Sequence, residues 1–316
     1  MTSDRSVVAL AQIAPVWLDR AATLAKMIEY IGEAGRAGAR LVAFGEGLLP
    51  GYPFWVEHAD GARFESLLQK QLFAHYVDQS VDIGAGDLAS LCDAARAARL
   101  WATVGCIERD RTRGHSVFCS LVLIDDAGDI RNVHRKLCPT HEERLVWTPG
   151  DGRGLETFAF DRFRLGTLNC WENWMPLARS ALYAQGEDLH VAVWPGSQRN
   201  TQQITPFIAR EGRSFVLSVS GLLRRENIPH NTPHAEQLRA CLPEVCAEGG
   251  SCIAGPDGNW VIPPHIGEET LLLAELDHAR VREERQNFDP FGHYSRPDVL
   301  ELRVDRRRRS GAAFED

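Results

Sequence analysis

Apolar, β-branched runs recur along this chain between amphipathic stretches, and the two periods predict its elements. Ser6–Ile13 reads as a strand, residues 19–37 as a helix closed by Gly38, and LVAFGE, 41–46, as a buried strand that ends on a carboxylate. Residues 86–99 predict a second helix, with Asp87 as its N-cap ahead of Leu88 and Leu91. Strands follow at 101–108 and 117–125, joined by the polar RDRTRGHS as a hairpin-like link. Further strands are predicted at 163–170, 189–195, 214–221, 251–256 and 271–277, and a helix over 176–186 that ends at Gly186. The prolines and weak periodicity of 222–248 predict a long surface loop.

Strand and helix in alternation, with interior hairpins, predict an α/β fold of mixed sheets covered by helices. Without an internal repeat or a Pro/Ser linker, residues 1–300 are expected to form one domain, followed by a partly disordered C-terminal tail, 301–316. The composition, 44% hydrophobic and 25% charged over 316 residues, is that of an ordinary globular chain. A net charge of −8 argues against a nucleic-acid surface, and the one basic run, Arg306–Arg309, falls in the tail. No segment approaches the ~18 apolar residues of a membrane span, and the N-terminal apolar run is too short and strand-like for a signal peptide. The eight cysteines form no CxxC pair and fit no usual zinc spacing. They are therefore expected to be reduced thiols of a cytoplasmic protein, most of them packing residues.

One cysteine stands apart. In TLNCWENWMP, 167–176, Cys170 follows a strand and opens a turn, where a nucleophile is well displayed. A thiol of ordinary pKa needs a base or a cation beside it, a partner for charge that develops on the substrate, and an activated water for release. Two other strand ends offer such groups: Glu46 between Gly45 and Gly47, and Lys136 in VHRKLCP. Ligands gather beyond strand ends in α/β folds, so the three groups could converge. On residues alone, the commoner readings are a buried packing cysteine, a solvated turn carboxylate and a surface lysine. The glycine pairs do not complete GxGxxG.

The motifs around these residues resemble the nitrilase branch of the carbon–nitrogen hydrolase superfamily. FGEGLLPGYPFW, 44–55, is similar to its glutamate motif, HRKLCPTHEERLVWTPGDG, 134–152, to its lysine motif, and CWENWMPLAR, 170–179, to its cysteine motif. GHYSRPDVL, 292–300, resembles a later signature of the branch. Gly45 departs from the proline more usual before the base glutamate, which is expected to loosen that strand end. The resemblance implies a four-layer α-β-β-α sandwich of two stacked sheets with helices outside.

It also implies roles. Cys170 would be the nucleophile, Glu46 the general base and Lys136 the cation that steadies the tetrahedral intermediate. Glu143, in PTHEER, would orient Lys136 or the substrate, with Glu142 as its uninvolved neighbour. The backbone N–H of Trp171 would join Lys136 in receiving developing charge. Tyr52, Trp55, Trp171 and Trp194 cluster around the strand ends, either as core or as an apolar substrate wall, with Trp55 and Trp194 the first candidates for the wall. His134 and His293 are expected to be structural or assembly residues. The implied activity is hydrolysis of an organic nitrile to the acid and ammonia through a thioimidate and a thioester. The alternative is an amidase or a cyanide-converting enzyme on the same residues. No cofactor or metal is expected, and no nucleic-acid or membrane partner. The expected partners are a small nitrile and further copies of the chain, as a homodimer or a larger homo-oligomer.

Overall fold

The computed structural model describes residues 4–308. The strands are β1 Arg5–Gln12, β2 Leu41–Phe44, β3 Trp101–Arg109, β4 Val117–Ile124, β5 Ile130–Arg135, β6 Phe158–Phe160, β7 Phe163–Asn169, β8 Leu189–Trp194, β9 Phe215–Ser220, β10 Leu222–Arg224, β11 Val245–Ala254, β12 Trp260–Ile266 and β13 Thr270–Asp277. The helices are α1 Arg20–Arg36, α2 Trp55–His58, α3 Leu67–Gln79, α4 Ala89–Ala98, α5 Pro176–Tyr183, α6 Gln198–Thr201, α7 Ile204–Gly212, α8 Ala235–Cys241 and α9 Ala279–Arg285.

Two mixed sheets form. One runs β13-β1-β2-β3-β4-β5, and the other β10-β11-β9-β8-β7-β6 with β12 on β11. Each has three parallel strands at its centre, β1-β2-β3 and β7-β8-β9, flanked by antiparallel ones. Alternate residues of a strand point to opposite faces, so each sheet buries both. Val8, Leu10, Leu41 and Ala43 meet Leu165, Val191, Val193 and Leu217 between the sheets. Ala9, Ala11, Val42 and Phe44 instead pack outward, against Met27 and Ile31 of α1 and Leu91 and Ala95 of α4. On the far side Leu168 meets Ala178 and Leu182 of α5, while Ala192 and Val216 meet Ile204 and Ile208 of α7. The result is the α-β-β-α sandwich that the sequence motifs imply.

Three local expectations are corrected. Asp87 does not cap α4, which has Leu88 at its cap. Its carboxylate instead accepts the Asp82 N–H at 2.8 Å and pairs with Arg20. Residues 222–248 are not one loop, since β10, α8 and the start of β11 lie within them. Gly45 does not loosen its strand end. The N–H of Glu46 donates to Trp194 O at 3.1 Å, and a Cβ at Gly45 would lie 2.8 Å from Gly221 N, so the missing side chain lets the ends of the two sheets close on each other.

In the tail, Arg306 pairs with Glu156 at 2.6 Å and Arg308 with Asp151 at 3.1 Å. Arg309 and the rest of the predicted tail lie outside the described residues.

Candidate active site

The structure brings Glu46, Lys136, Glu143 and Cys170 together, all buried. Glu46 lies one residue beyond the end of β2, after Gly45, and Gly47 turns the chain behind it at φ +56°. Lys136 directly follows β5. Its N–H donates to Cys119 O at 2.8 Å and its carbonyl accepts from Gly150 N–H at 2.7 Å, so the loop after the strand is pinned on both sides. Glu143 lies in the single 3-10 turn 141–145 and receives the N–H of Thr140 at 2.6 Å, a capping box that fixes its carboxylate. Cys170 starts another such turn at φ +43°, a left-handed conformation that costs an ordinary residue about 1–3 kcal/mol and turns its side chain out of the strand line.

The ammonium of Lys136 lies 2.8 Å from Glu46 Oε1 and 2.6 Å from Glu143 Oε2. Donor atoms of Glu46, Glu143 and Cys170 fall within 4.8 Å of one another, close enough to hold a cation, and Lys136 supplies one of its own. The Trp147 ring sits 5.3 Å from the Lys136 nitrogen, a second favourable contact for that charge. Burial pulls the Lys136 pKa down, but the surrounding negative groups, Glu46 foremost, outweigh it and hold the ammonium well above its ordinary value. Burial pushes Glu46 up to about 7, with Lys136 opposing the shift and Glu143 adding to it. Burial, then the Glu46 charge, raises the Cys170 thiol well above its ordinary range. Cys170 therefore rests as a thiol beside a carboxylate of near-neutral pKa, an arrangement that suits proton transfer from sulfur to oxygen.

Of the predicted aromatic residues, Tyr52 reaches the cluster: its hydroxyl donates to Glu143 Oε1 at 2.8 Å and lies 3.3 Å from Glu142 Oε1. Glu142 is thus a peripheral neighbour of the cluster through Tyr52. The backbone N–H of Trp171 reaches the Cys170 sulfur, while its ring is 52% exposed, 6.4 Å from that of Trp174. Trp194 is fully buried beside Cys170 and donates to Ser218 Oγ at 3.3 Å. Trp55 is fully buried against Trp17 and Tyr76, one aromatic layer behind the cluster. Of the two indoles, Trp194 is the one that stands beside Cys170.

Sequence reasoning expected His134 to be structural but missed the buried polar groups that pair with it and with Asn173 behind the cluster. Glu172 accepts the N–H groups of Asn169 and Leu137 and lies 3.0 Å from His134 Nε2, so it ties the cysteine turn to the lysine loop. Asn173 donates to Cys170 O at 2.9 Å, and its Oδ1 lies 2.7 Å from His190 Nε2, whose other nitrogen is 2.7 Å from Glu187 Oε1. The only sequence signal was the WEN triplet itself, which gave no hint of these partners. His293 is exposed, beside the Tyr294 ring.

A buried thiol, a carboxylate base and an ammonium at the strand ends of an α-β-β-α sandwich suit a thiol-dependent hydrolytic centre. The chain belongs to the carbon–nitrogen hydrolase family, whose profile matches residues 7–286. It is 36% identical over 308 residues to Nitrilase 2 of an unknown prokaryotic organism, covering 97% of this chain and 95% of that one. It is likewise 36% identical over 311 residues to an aliphatic nitrilase of Sinorhizobium fredii, covering 96% of each. A carbon–nitrogen hydrolase of Helicobacter pylori G27 has the same fold, with a TM-score of 0.70 at 20% identity over 93% of this chain and 96% of that one.

Proposed function

We propose that this chain is a nitrilase, hydrolysing an organic nitrile to the carboxylic acid and ammonia. The observation that carries the reading is the Glu46–Lys136–Glu143 cluster closed around Cys170, in a chain similar over nearly its whole length to proteins named nitrilases.

Cys170 sulfur attacks the nitrile carbon as its proton passes to Glu46, and the new C–S bond gives a thioimidate once nitrogen takes a proton. Lys136 and the Trp171 N–H meet the negative charge that develops on nitrogen. Water, deprotonated by Glu46, adds to the same carbon. Nitrogen leaves as ammonia and a thioester remains. A second water releases the acid and returns the thiol, so one nitrile and two waters give one acid and one ammonia. Expulsion of sulfur at the tetrahedral stage would instead give the amide.

Two finer features belong to the same reading. The first is assembly of copies through the outer helical face, where Leu177 and Phe207 are exposed; light scattering on the purified protein tests it. The second is a cytoplasmic location, which suits eight free thiols. Among the described residues no helix is long and apolar enough to cross a membrane.

The deciding experiment is ammonia release from benzonitrile, phenylacetonitrile, an aliphatic dinitrile, cyanide and the matching amides, with Cys170→Ala as the blank. Acid and ammonia from the organic nitriles, with little from amides, is the expected result. Turnover of amides alone would move the protein to the amidase side of its family.

A further inference from the structure

We propose that Cys119 is a positioning residue for the base: with Lys136 it holds Oε1 of Glu46, and so leaves Oε2 as the oxygen that takes the Cys170 proton. This rests on the reading of Glu46 as base and Cys170 as nucleophile.

The two oxygens of Glu46 are not equivalent. Oε1 lies 2.8 Å from the Lys136 ammonium and also receives the Cys119 thiol, with Sγ at 3.6 Å. Oε2 is buried and accepts no hydrogen bond of good geometry from any of the described residues. A buried carboxylate oxygen left bare is costly, and such an atom at a reaction centre points to a proton or a ligand that comes and goes. The carboxylate also interacts with the Cys170 thiol, whose proton is the one that attack on a nitrile must move.

Without a second hold on Oε1, this arrangement would not be fixed. The terminal torsion of a glutamate is broad, so a carboxylate held by Lys136 alone could swing and offer both oxygens to the ammonium. That would spend its basicity on Lys136. The Cys119 thiol approaches Oε1 from β4, two strands from β2 in the same sheet, and opposes the swing. Its place is set by the backbone, because Cys119 O accepts the Lys136 N–H at 2.8 Å. One strand contact thus places both groups that hold Oε1. Cys119 is buried, and burial, then the Glu46 charge, raises its pKa well above the ordinary thiol value. It stays protonated and donates; its own proton does not leave.

The test compares Cys119→Ala and Cys119→Ser with the parent enzyme in three readouts. These are kcat and KM on a nitrile that the parent hydrolyses, the acid limb of kcat/KM against pH, and the pH dependence of Cys170 alkylation by iodoacetamide. Cys119→Ala is expected to lower kcat about tenfold, the worth of one well-placed hydrogen bond, with KM little changed. Its acid limb is expected to move to higher pH, because a donor to the charged form is lost. Cys119→Ser, still a donor, is expected to recover most of kcat and return the limb toward the parent position. An unmoved limb in Cys119→Ala, or equal displacement in both variants, would overturn the proposal. If Cys119→Ala does not fold, Cys119→Ser still decides, since a limb well above the parent's would contradict a donor role. Alkylation needs no substrate. A parent that turns over no nitrile therefore overturns the nitrilase reading, while the alkylation limb still decides the role of Cys119.

Discussion

The side chains of His134 and Glu172 meet with no solvent on either side, Nε2 of the one 3.0 Å from Oε2 of the other. This contact joins the strand that leads into Lys136 to the turn that opens at Cys170. Burial alone would raise the Glu172 carboxyl, but the His134 charge and the Leu137 and Asn169 N–H donors outweigh it and hold the pKa below its ordinary value. Glu172→Ala would strand the imidazole and both N–H groups in the interior. Breaking one side of such a pair costs about 3–5 kcal/mol, so we expect a melting temperature lowered by roughly 10 °C. Thermal unfolding measures this, and a loss of only a degree or two would show that the two loops are held by other contacts.

The Lys136 ammonium is shared by two carboxylates, so the buried cluster carries an excess negative charge once Glu46 ionises. The native state keeps the Glu46 proton up to a pKa of about 7, against 4.5 for the free group. It therefore binds more protons than the unfolded chain between those values, and stability falls as pH rises through that window. Glu46→Gln removes the excess charge. We expect this variant to be inactive yet to melt above the parent at pH 8, with the gap closing toward pH 5. In the parent, kcat/KM should fall as pH drops below about 7, where Glu46 takes up its proton. A Glu46→Gln variant that is less stable than the parent at pH 8 would mean that the Lys136 pairing outweighs the burial of charge.

The strand ends that carry Glu46, Lys136 and Cys170 were legible because each motif pairs an apolar run with a polar terminus, and both belong to one short segment. What joins the segments was not legible. His134 meets Glu172, and Asn173 meets His190, only because β5, β7 and β8 lie where the two sheets put them, and no local pattern encodes that placement. The seven-residue α8 escaped for a different reason. It buries only Ala235 and Leu238, too few positions to set a helical period. In α3 the buried positions are Leu72, Tyr76 and Val77, while apolar Leu67 faces solvent, which blurs its stripe. The aromatic residues separate for a third reason: Trp55 and Trp194 both flank strand ends in sequence, but Trp194 packs beside Cys170 while Trp55 packs against Trp17 and Tyr76.

Adjacent glutamates offer a sharper contrast. Glu143 touches Lys136, Tyr52 and the Thr140 N–H, whereas half-buried Glu142 makes polar contacts with Tyr52 and His141. Glu143→Gln should loosen the ammonium at the moment charge develops on the substrate, and we expect kcat lowered by about 10²–10³, the usual cost of losing one charge-stabilising group. Glu142→Gln should change kcat by less than about threefold, as for other partly exposed pairs. Steady-state kinetics on one nitrile reads both, and similar losses would mean that Tyr52 links the two carboxylates into one functional unit.

The left-handed backbone of Cys170 needs a partner to hold it, and Asn173 is placed to do so. Its Nδ2 donates to Cys170 O, which leaves Oδ1 to accept from His190, itself anchored on Glu187. Asn173→Ala would free the carbonyl and allow the turn to relax by a fraction of an ångström. A misplacement of about 1 Å can cost a reacting group a hundredfold, and for this smaller shift we expect kcat to fall by about one decade with KM little changed. His190→Gln can still offer a donor to Asn173 while giving up Glu187. It should therefore lower the melting temperature more than it lowers kcat. The opposite ordering, with Asn173→Ala destabilised but fully active, would show that the chain of bonds supports the fold and leaves the nucleophile to hold its own conformation.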